Sequence, residues 1–189
     1  MKIYFIVFCF LMVFAGFIKT TSATPIQWKS SEGGNDHWYD KIDYVSWWDE
    51  SEQDAINKDG YLVTFHSQAE NDFVWNNFGS FKYWIGAYQT NKDVEPEGNW
   101  AWVTNETWSF SNWSSGEPNN SLGEEDHARF VGGGFWNDVL NSGVESRKGN
   151  GYIIEYDNNP IPEPTTMLLL GAGMIGLVGI GRKKLFKKD

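Results

Sequence analysis

Glu117, Glu124, Glu125, Asp126 and Asp138 fall within the 22 residues EPNNSLGEEDHARFVGGGFWND, with Asn119, Asn120 and Asn137 among them. Carboxylate and amide oxygens at this density suit a hard cation. Calcium takes roughly six to eight such oxygens and tolerates irregular geometry. Without a cation the same carboxylates repel one another. On composition alone a solvated acidic loop explains the stretch equally well. Other chemistry has less support. His37, His66 and His127 show neither metal-ligand nor triad spacing. Glu117 and Asp138 could be paired as a glycosidase would pair them, but both are better explained as metal ligands, and a ligated carboxylate is a poor general acid. No catalytic residue is assigned.

The elements that must hold this stretch are short. Pro118 and Gly132 to Gly134 exclude a helix across it, so it reads as a loop feeding a strand. Ser46-Trp47-Trp48-Asp49 and Ser67-Gln68-Ala69-Glu70 are capping patterns, which predict helices over 47–58 and 67–78. Phe73, Val74, Asn77 and Phe78 give the second an apolar face at helical spacing. Strands are expected over 42–45, 61–65, 83–87, 99–103, 127–131 and 151–156. Few helices, several short strands and long loops make an α+β domain.

The two ends differ from the middle. Residues 3–18 are apolar, follow Lys2 and lead to Thr21, Ser22 and Ala23, the pattern of a signal peptide over 1–23. An uncleaved amino-terminal anchor is the competing reading. The domain then spans 24–157, and 158–164 is a linker holding Pro162-Glu163-Pro164. An apolar, glycine-rich run over 165–181 is at the short limit for a transmembrane helix, and the basic tail 182–189 would stay cytoplasmic. Together the Pro-Glu-Pro, helix and basic tail resemble the PEP-CTERM sorting signal of Gram-negative bacteria. That resemblance implies an exosortase-type processing enzyme, a membrane-anchored intermediate, and release to the cell surface or extracellular matrix. An ordinary tail anchor is the alternative; either way the domain lies outside the cytoplasm.

The chain carries a net charge of −10, and without its basic ends the segment 24–164 is near −16. Such a surface excludes nucleic acid and anionic membrane as partners, since both need positive patches. The only cysteine, Cys9, lies in the signal, so the exported domain has no disulfide. All 11 tryptophans lie between Trp28 and Trp136 and supply much of the buried area.

The order and spacing of several segments narrow the choice. DGYLVTFHSQAENDFV, YWIGAY, EGNWAWVTNETWSFSNW, EPN, GEED, WND and GYIIEY follow one another over roughly 35–157 and resemble the C-type lectin domains. The resemblance implies two helices, small antiparallel sheets and a long calcium-binding loop region. It implies a principal calcium held by Glu117, Asn119, Glu125, Asn137 and Asp138, with a cis bond before Pro118. The same five residues would bind sugar. Two vicinal hydroxyls complete the calcium shell, carboxylates accept their protons and asparagine amides donate. Glu-Pro-Asn resembles the order that prefers mannose-type sugars. Asp93, Glu97, Asn120, Glu125 and Asp126 match the family's auxiliary calcium site; solvated loop charges are the other reading of Asp93 and Glu97. The two family disulfides would fall at Ala55 with Ile154 and at His127 with Asn141, where neither pair is cysteine. The expected function is calcium-dependent binding of a glycan or exopolysaccharide by an exported bacterial protein. The alternative is a structural or adhesive matrix protein in which calcium only shapes the loop.

Overall fold

Two α-helices lie in the first half of the domain, and each shows how its start is fixed. α1 (Trp48–Ile56) begins where the Glu50 carboxylate accepts the Trp47 backbone N–H at 2.9 Å. Ser46 is not the cap. Its hydroxyl donates to the Tyr44 carbonyl and pairs with the Ser51 hydroxyl at 2.6 Å. α2 (Gln68–Phe78) begins as expected, with the Ser67 hydroxyl accepting the Glu70 N–H at 3.2 Å. The reciprocal bond of a capping box is not made, because the Glu70 carboxylate is buried elsewhere. α2 buries Glu70, Asn71, Val74 and Phe78, while Asn77 is exposed. This computed structural model describes residues 24–143 and 145–161. The expected signal peptide, transmembrane helix and basic tail lie outside them. Among the described residues no helix is long and apolar enough to cross a membrane.

Eight strands join into one sheet. They are β1 (Ile26–Gln27), β2 (Trp38–Ile42), β3 (Tyr61–Leu62), β4 (Tyr83–Gln89), β5 (Trp100–Trp102), β6 (His127–Phe130), β7 (Trp136–Val139) and β8 (Gly151–Tyr156). The main path runs β1-β2-β8-β4-β6-β7, with β3 on β8 and β5 on β4. All pairs are antiparallel except β4 with β8, so the sheet is mixed where antiparallel sheets were expected. The strand expected at 42–45 is instead β2, because its partner β8 sets the register from Trp38↔Tyr156 to Ile42↔Tyr152. Tyr44 and Val45 are exposed. β3 is shorter than expected. Val63 still donates to the Ile153 carbonyl at 3.0 Å and accepts from Gly86 at 2.8 Å, so the chain stays extended beyond the ladder.

Aromatic rings fill the core. Trp84, Trp102, Trp136, Tyr39, Tyr152, Phe65 and Phe130 are fully buried. A large apolar side chain contributes about 1.5–3 kcal/mol on burial. Both places where the family pattern puts disulfides are packed instead. Ala55 and Ile154 are fully enclosed in one apolar cluster. Between His127 and Asn141 stands Trp48, its ring 4.5 Å from the His127 ring and its backbone N–H 2.6 Å from Asn141 Oδ1.

Candidate functional site

The site is assembled by Trp136. This residue starts β7, and its backbone holds the preceding loop. Its N–H donates to the Asn112 carbonyl at 2.9 Å, and its carbonyl accepts from Ser114 at 2.8 Å. Glu117 N–H in turn donates to the Ser114 carbonyl at 3.0 Å. The loop bearing Glu117-Pro118-Asn119 is therefore tied beside the strand bearing Asn137 and Asp138. The Glu117–Pro118 peptide bond is cis. The Trp136 ring is held from beneath, where its Nε1 donates to Asn71 Oδ1 at 2.8 Å. Asn71 Nδ2 donates to the Gly134 carbonyl at 3.1 Å, which also accepts from Asn112 Nδ2 at 2.9 Å.

Asp138 is wholly buried and is the hub of the site. Its carboxylate accepts the backbone N–H of Asn119 at 3.0 and 3.1 Å and that of Asn120 at 2.7 Å. Asn120 has φ 45° and Oδ1 accepts the Glu125 N–H at 3.0 Å, which closes the turn over Ser121–Gly123. Glu125 is 6% exposed. Its Oε2 accepts the Ser121 N–H at 2.8 Å, and its Oε1 lies 3.4 Å from Arg147 Nη1. Glu117 is half-buried, and its Oε2 is buried with no hydrogen-bond partner.

The electrostatics follow from this crowding. Burial first, then contact with Asp138 and the charges of Asp138 and Glu125, push the Glu117 carboxyl up to about 7, against the pull of the Asn119 amide. Burial also raises Glu125. The Ser121 N–H, Arg147 and Arg129 oppose that rise, while the Asp138 charge adds to it.

Glu117, Asn119, Glu125 and Asp138 are thus brought together. Asn137 is adjacent on β7, with its Nδ2 donating to the Asp138 carbonyl at 2.8 Å. The auxiliary set is less gathered. Asp93 and Glu97 are exposed, and Asn120 and Glu125 are engaged as above. The segment around them is nonetheless pinned nearby. Gln89 Nε2 donates to the Pro96 and Gly98 carbonyls at 3.1 and 3.0 Å, and its N–H donates to the Asp126 carbonyl at 2.9 Å. Among the described residues no three His, Cys, Asp or Glu side chains stand in a metal-holding arrangement. Backbone amides and Arg147 take up the oxygens of Asp138 and Glu125. The orphaned Glu117 oxygen and the all-oxygen donor set still fit a hard cation, because a buried carboxylate oxygen without a donor is costly.

The family model for the lectin C-type domain matches residues 44–145. The chain belongs to the C-type lectin domain family. A second family model, the PEP-CTERM protein-sorting motif, matches residues 160–183 and implies export and exosortase processing toward the cell surface. Asialoglycoprotein receptor 2 of Rattus norvegicus is 31% identical over 125 residues, covering 62% of this chain and 38% of the receptor. The hepatic lectin of Gallus gallus is 33% identical over 115 residues, covering 60% of this chain and 52% of that protein. This chain therefore spans about half or less of these relatives. The solved cow CD23 C-type carbohydrate-recognition domain, crystallised with a GlcNAc2Man3 oligosaccharide, superposes with TM-score 0.55 at 27% identity. That match covers 65% of this chain and 88% of the solved one. Lectins and a carbohydrate-recognition domain are thus among the proteins this chain is similar to.

Arg147 had no place in the sequence-based site. It lies beyond WND, next to Lys148, and a basic pair in an acidic domain reads as surface charge. Asn71 carries no sequence signal either, since an asparagine on an amphipathic helix is usually exposed.

Proposed function

We propose that this protein binds mannose-type glycans in a calcium-dependent manner, as an exported bacterial surface or matrix protein. The observation that carries the proposal is the meeting of Glu117, Asn119, Glu125 and Asp138 at one end of β7, with a Glu117 oxygen buried and unpartnered. Glu117, Asn119, Glu125, Asn137 and Asp138 would hold the ion, which when bound offers open coordination positions to two vicinal hydroxyls. The carboxylates of Glu117 and Glu125 accept the hydroxyl protons, and the amides of Asn119 and Asn137 donate to the hydroxyl oxygens. Asp138 anchors the Asn119–Asn120 backbone and so fixes where those donors sit. A second ion at Asp93, Glu97, Asn120, Glu125 and Asp126 belongs to the same proposal, with Asp93 and Glu97 moving in from solvent. Two hydroxyls per site give an affinity on the order of millimolar, about −4 kcal/mol, so useful strength requires many copies. An exopolysaccharide outside the cell supplies that repetition.

The test is retention of the purified protein on immobilised mannose with calcium and then with EDTA, beside Glu117→Ala. Calcium-dependent retention that free mannose elutes and the variant lacks is the expected result. Retention unaffected by EDTA would refute the calcium part, and no retention at all would refute the mannose part. One observation favours a structural or adhesive matrix role instead. The loop is already closed by its own backbone N–H groups on Asp138 and Glu125. Calcium-dependent stabilisation without glycan retention would select that reading.

A further inference from the structure

Arg147 faces the site without belonging to the ligand set. Its Nη1 stands 3.4 Å from Glu125 Oε1, on the side of the carboxylate that Ser121 does not occupy. The arginine side chain is 29% exposed, against 8% for the glutamate. The arginine is fixed by its backbone. It ends the short turn Glu145–Arg147, and its carbonyl accepts Arg129 Nη1 at 2.9 Å. Arg129 lies over the buried Trp84 ring, 5.6 Å from its centroid. The turn is thus anchored to the core, and the guanidinium of Arg147 is free to leave Glu125 without disturbing it.

The contact is long for a charge-assisted bond, which is usually about 2.7–2.9 Å. It works as a neighbouring charge more than as a tight fork. Three carboxylates, Glu117, Glu125 and Asp138, crowd this end of β7, and their mutual repulsion is large where water is excluded. A guanidinium held beside one of them lowers that repulsion. The same guanidinium repels any other cation that comes to the site.

We propose that Arg147 is a tethered counter-cation of the calcium site. It neutralises Glu125 when calcium is scarce and competes with calcium for that oxygen. This inference rests on the calcium reading given above. Its consequence is a site that keeps its shape at low calcium and releases the ion readily. Calcium affinity is then set by a residue outside the ligand set.

The experiment compares the purified full-length protein with Arg147→Gln and with Lys148→Gln. The second variant removes an equal charge that faces Glu145 and the Trp47 ring instead of the site. Calcium affinity is read by titration calorimetry, and melting temperature is read in calcium and in EDTA. Arg147→Gln is expected to bind calcium about tenfold tighter, because one like charge within a few ångströms is removed. It is also expected to melt below the parent in EDTA and to recover in calcium. Lys148→Gln should stay within about twofold of the parent, since surface charges at longer range are screened. Equal or weaker calcium binding by Arg147→Gln would overturn the proposal. So would an equal loss of melting temperature with and without calcium. If the parent itself takes up no calcium, the calcium reading falls first and the proposal falls with it.

Discussion

Asn71→Leu is the substitution that most directly tests how the site is built. Leucine keeps the branching of asparagine at Cγ and suits a helix interior, so the change removes the hydrogen bonds and opens no space, and its greater bulk adds to the loss and not to the gain. Asn71 is fully buried. Its Oδ1 is the acceptor for Trp136 Nε1 at 2.8 Å, and its Nδ2 is one of two donors to the Gly134 carbonyl. The carbonyl keeps Asn112, but the indole N–H has no other partner and lies at 0% exposure. An orphaned buried donor costs about 1–3 kcal/mol, and a lost net hydrogen bond about 1 kcal/mol. The expected loss is about 2–4 kcal/mol. For a domain of this size that is roughly 6–15 °C in melting temperature. Urea unfolding with an unchanged slope would measure it. Adding Trp136→Phe to Asn71→Leu removes the orphan. A double-mutant cycle should return a coupling of about 1–2 kcal/mol. A loss under about 0.5 kcal/mol for Asn71→Leu, or no coupling, would refute the claim that α2 holds Trp136 through its ring. Because the Trp136 backbone ties the Glu117 loop to β7, glycan retention should weaken in parallel.

Three further outcomes are expected. Calcium at about a hundred times its Kd should stabilise the protein by about 2.7 kcal/mol, and melts with and without EDTA that coincide would sink the calcium part of the proposal. In EDTA, stability should fall as pH rises above 6.5. The His37 pKa is raised by its bond to Glu155, so its contribution is complete below the unfolded value of 6.5 and is lost as pH climbs through the folded value. Burial raises the Glu70 pKa from 4.5 and has the same sign, since the folded form holds that proton more tightly. His37→Asn should flatten the profile above pH 6.5, and an unchanged slope would contradict this account. Gly86→Ala should cost about 3 kcal/mol or more, because its Cβ would meet the Leu62 carbonyl oxygen at 2.4 Å, a backbone atom that cannot turn aside. A urea midpoint within error of the parent would show that the strands can part there.

What was legible in the sequence is what local pattern encodes. The Ser67 cap and the apolar spacing behind it placed α2, and the segment Gly151 to Tyr156 was read as a strand at the bounds that β8 has. What escaped was set by distant partners. Alternation at Ile42-Asp43-Tyr44-Val45 suggested a strand, yet the ladder lies on Trp38–Ile42 because β8 pairs there. Glu70 and Glu155 are charged residues with 2% and 1% exposure. They are buried because Asn35, His37 and Tyr39 from one stretch of the chain and Thr64 and His66 from another supply their donors. No periodicity announces such a network. In the candidate site, Glu117, Asn119, Glu125, Asn137 and Asp138 were named by the resemblance to C-type lectin domains and not by local pattern. That Asp138 would spend its oxygens on the Asn119 and Asn120 backbone could be seen only in three dimensions.

The position of β8 has a kinetic consequence. β3 finds its ladder partner only in the last strand, β2 finds there its partner on the side away from β1, and β4 lies beside that strand as well. Apart from the β1–β2 ladder, the long-range pairings of the first half of the domain therefore wait for the final strand. Pairings that join distant parts of a chain form slowly. A chain that emerges amino end first stays open until Tyr156 has appeared, which makes the arrival of β8 the event that completes the domain.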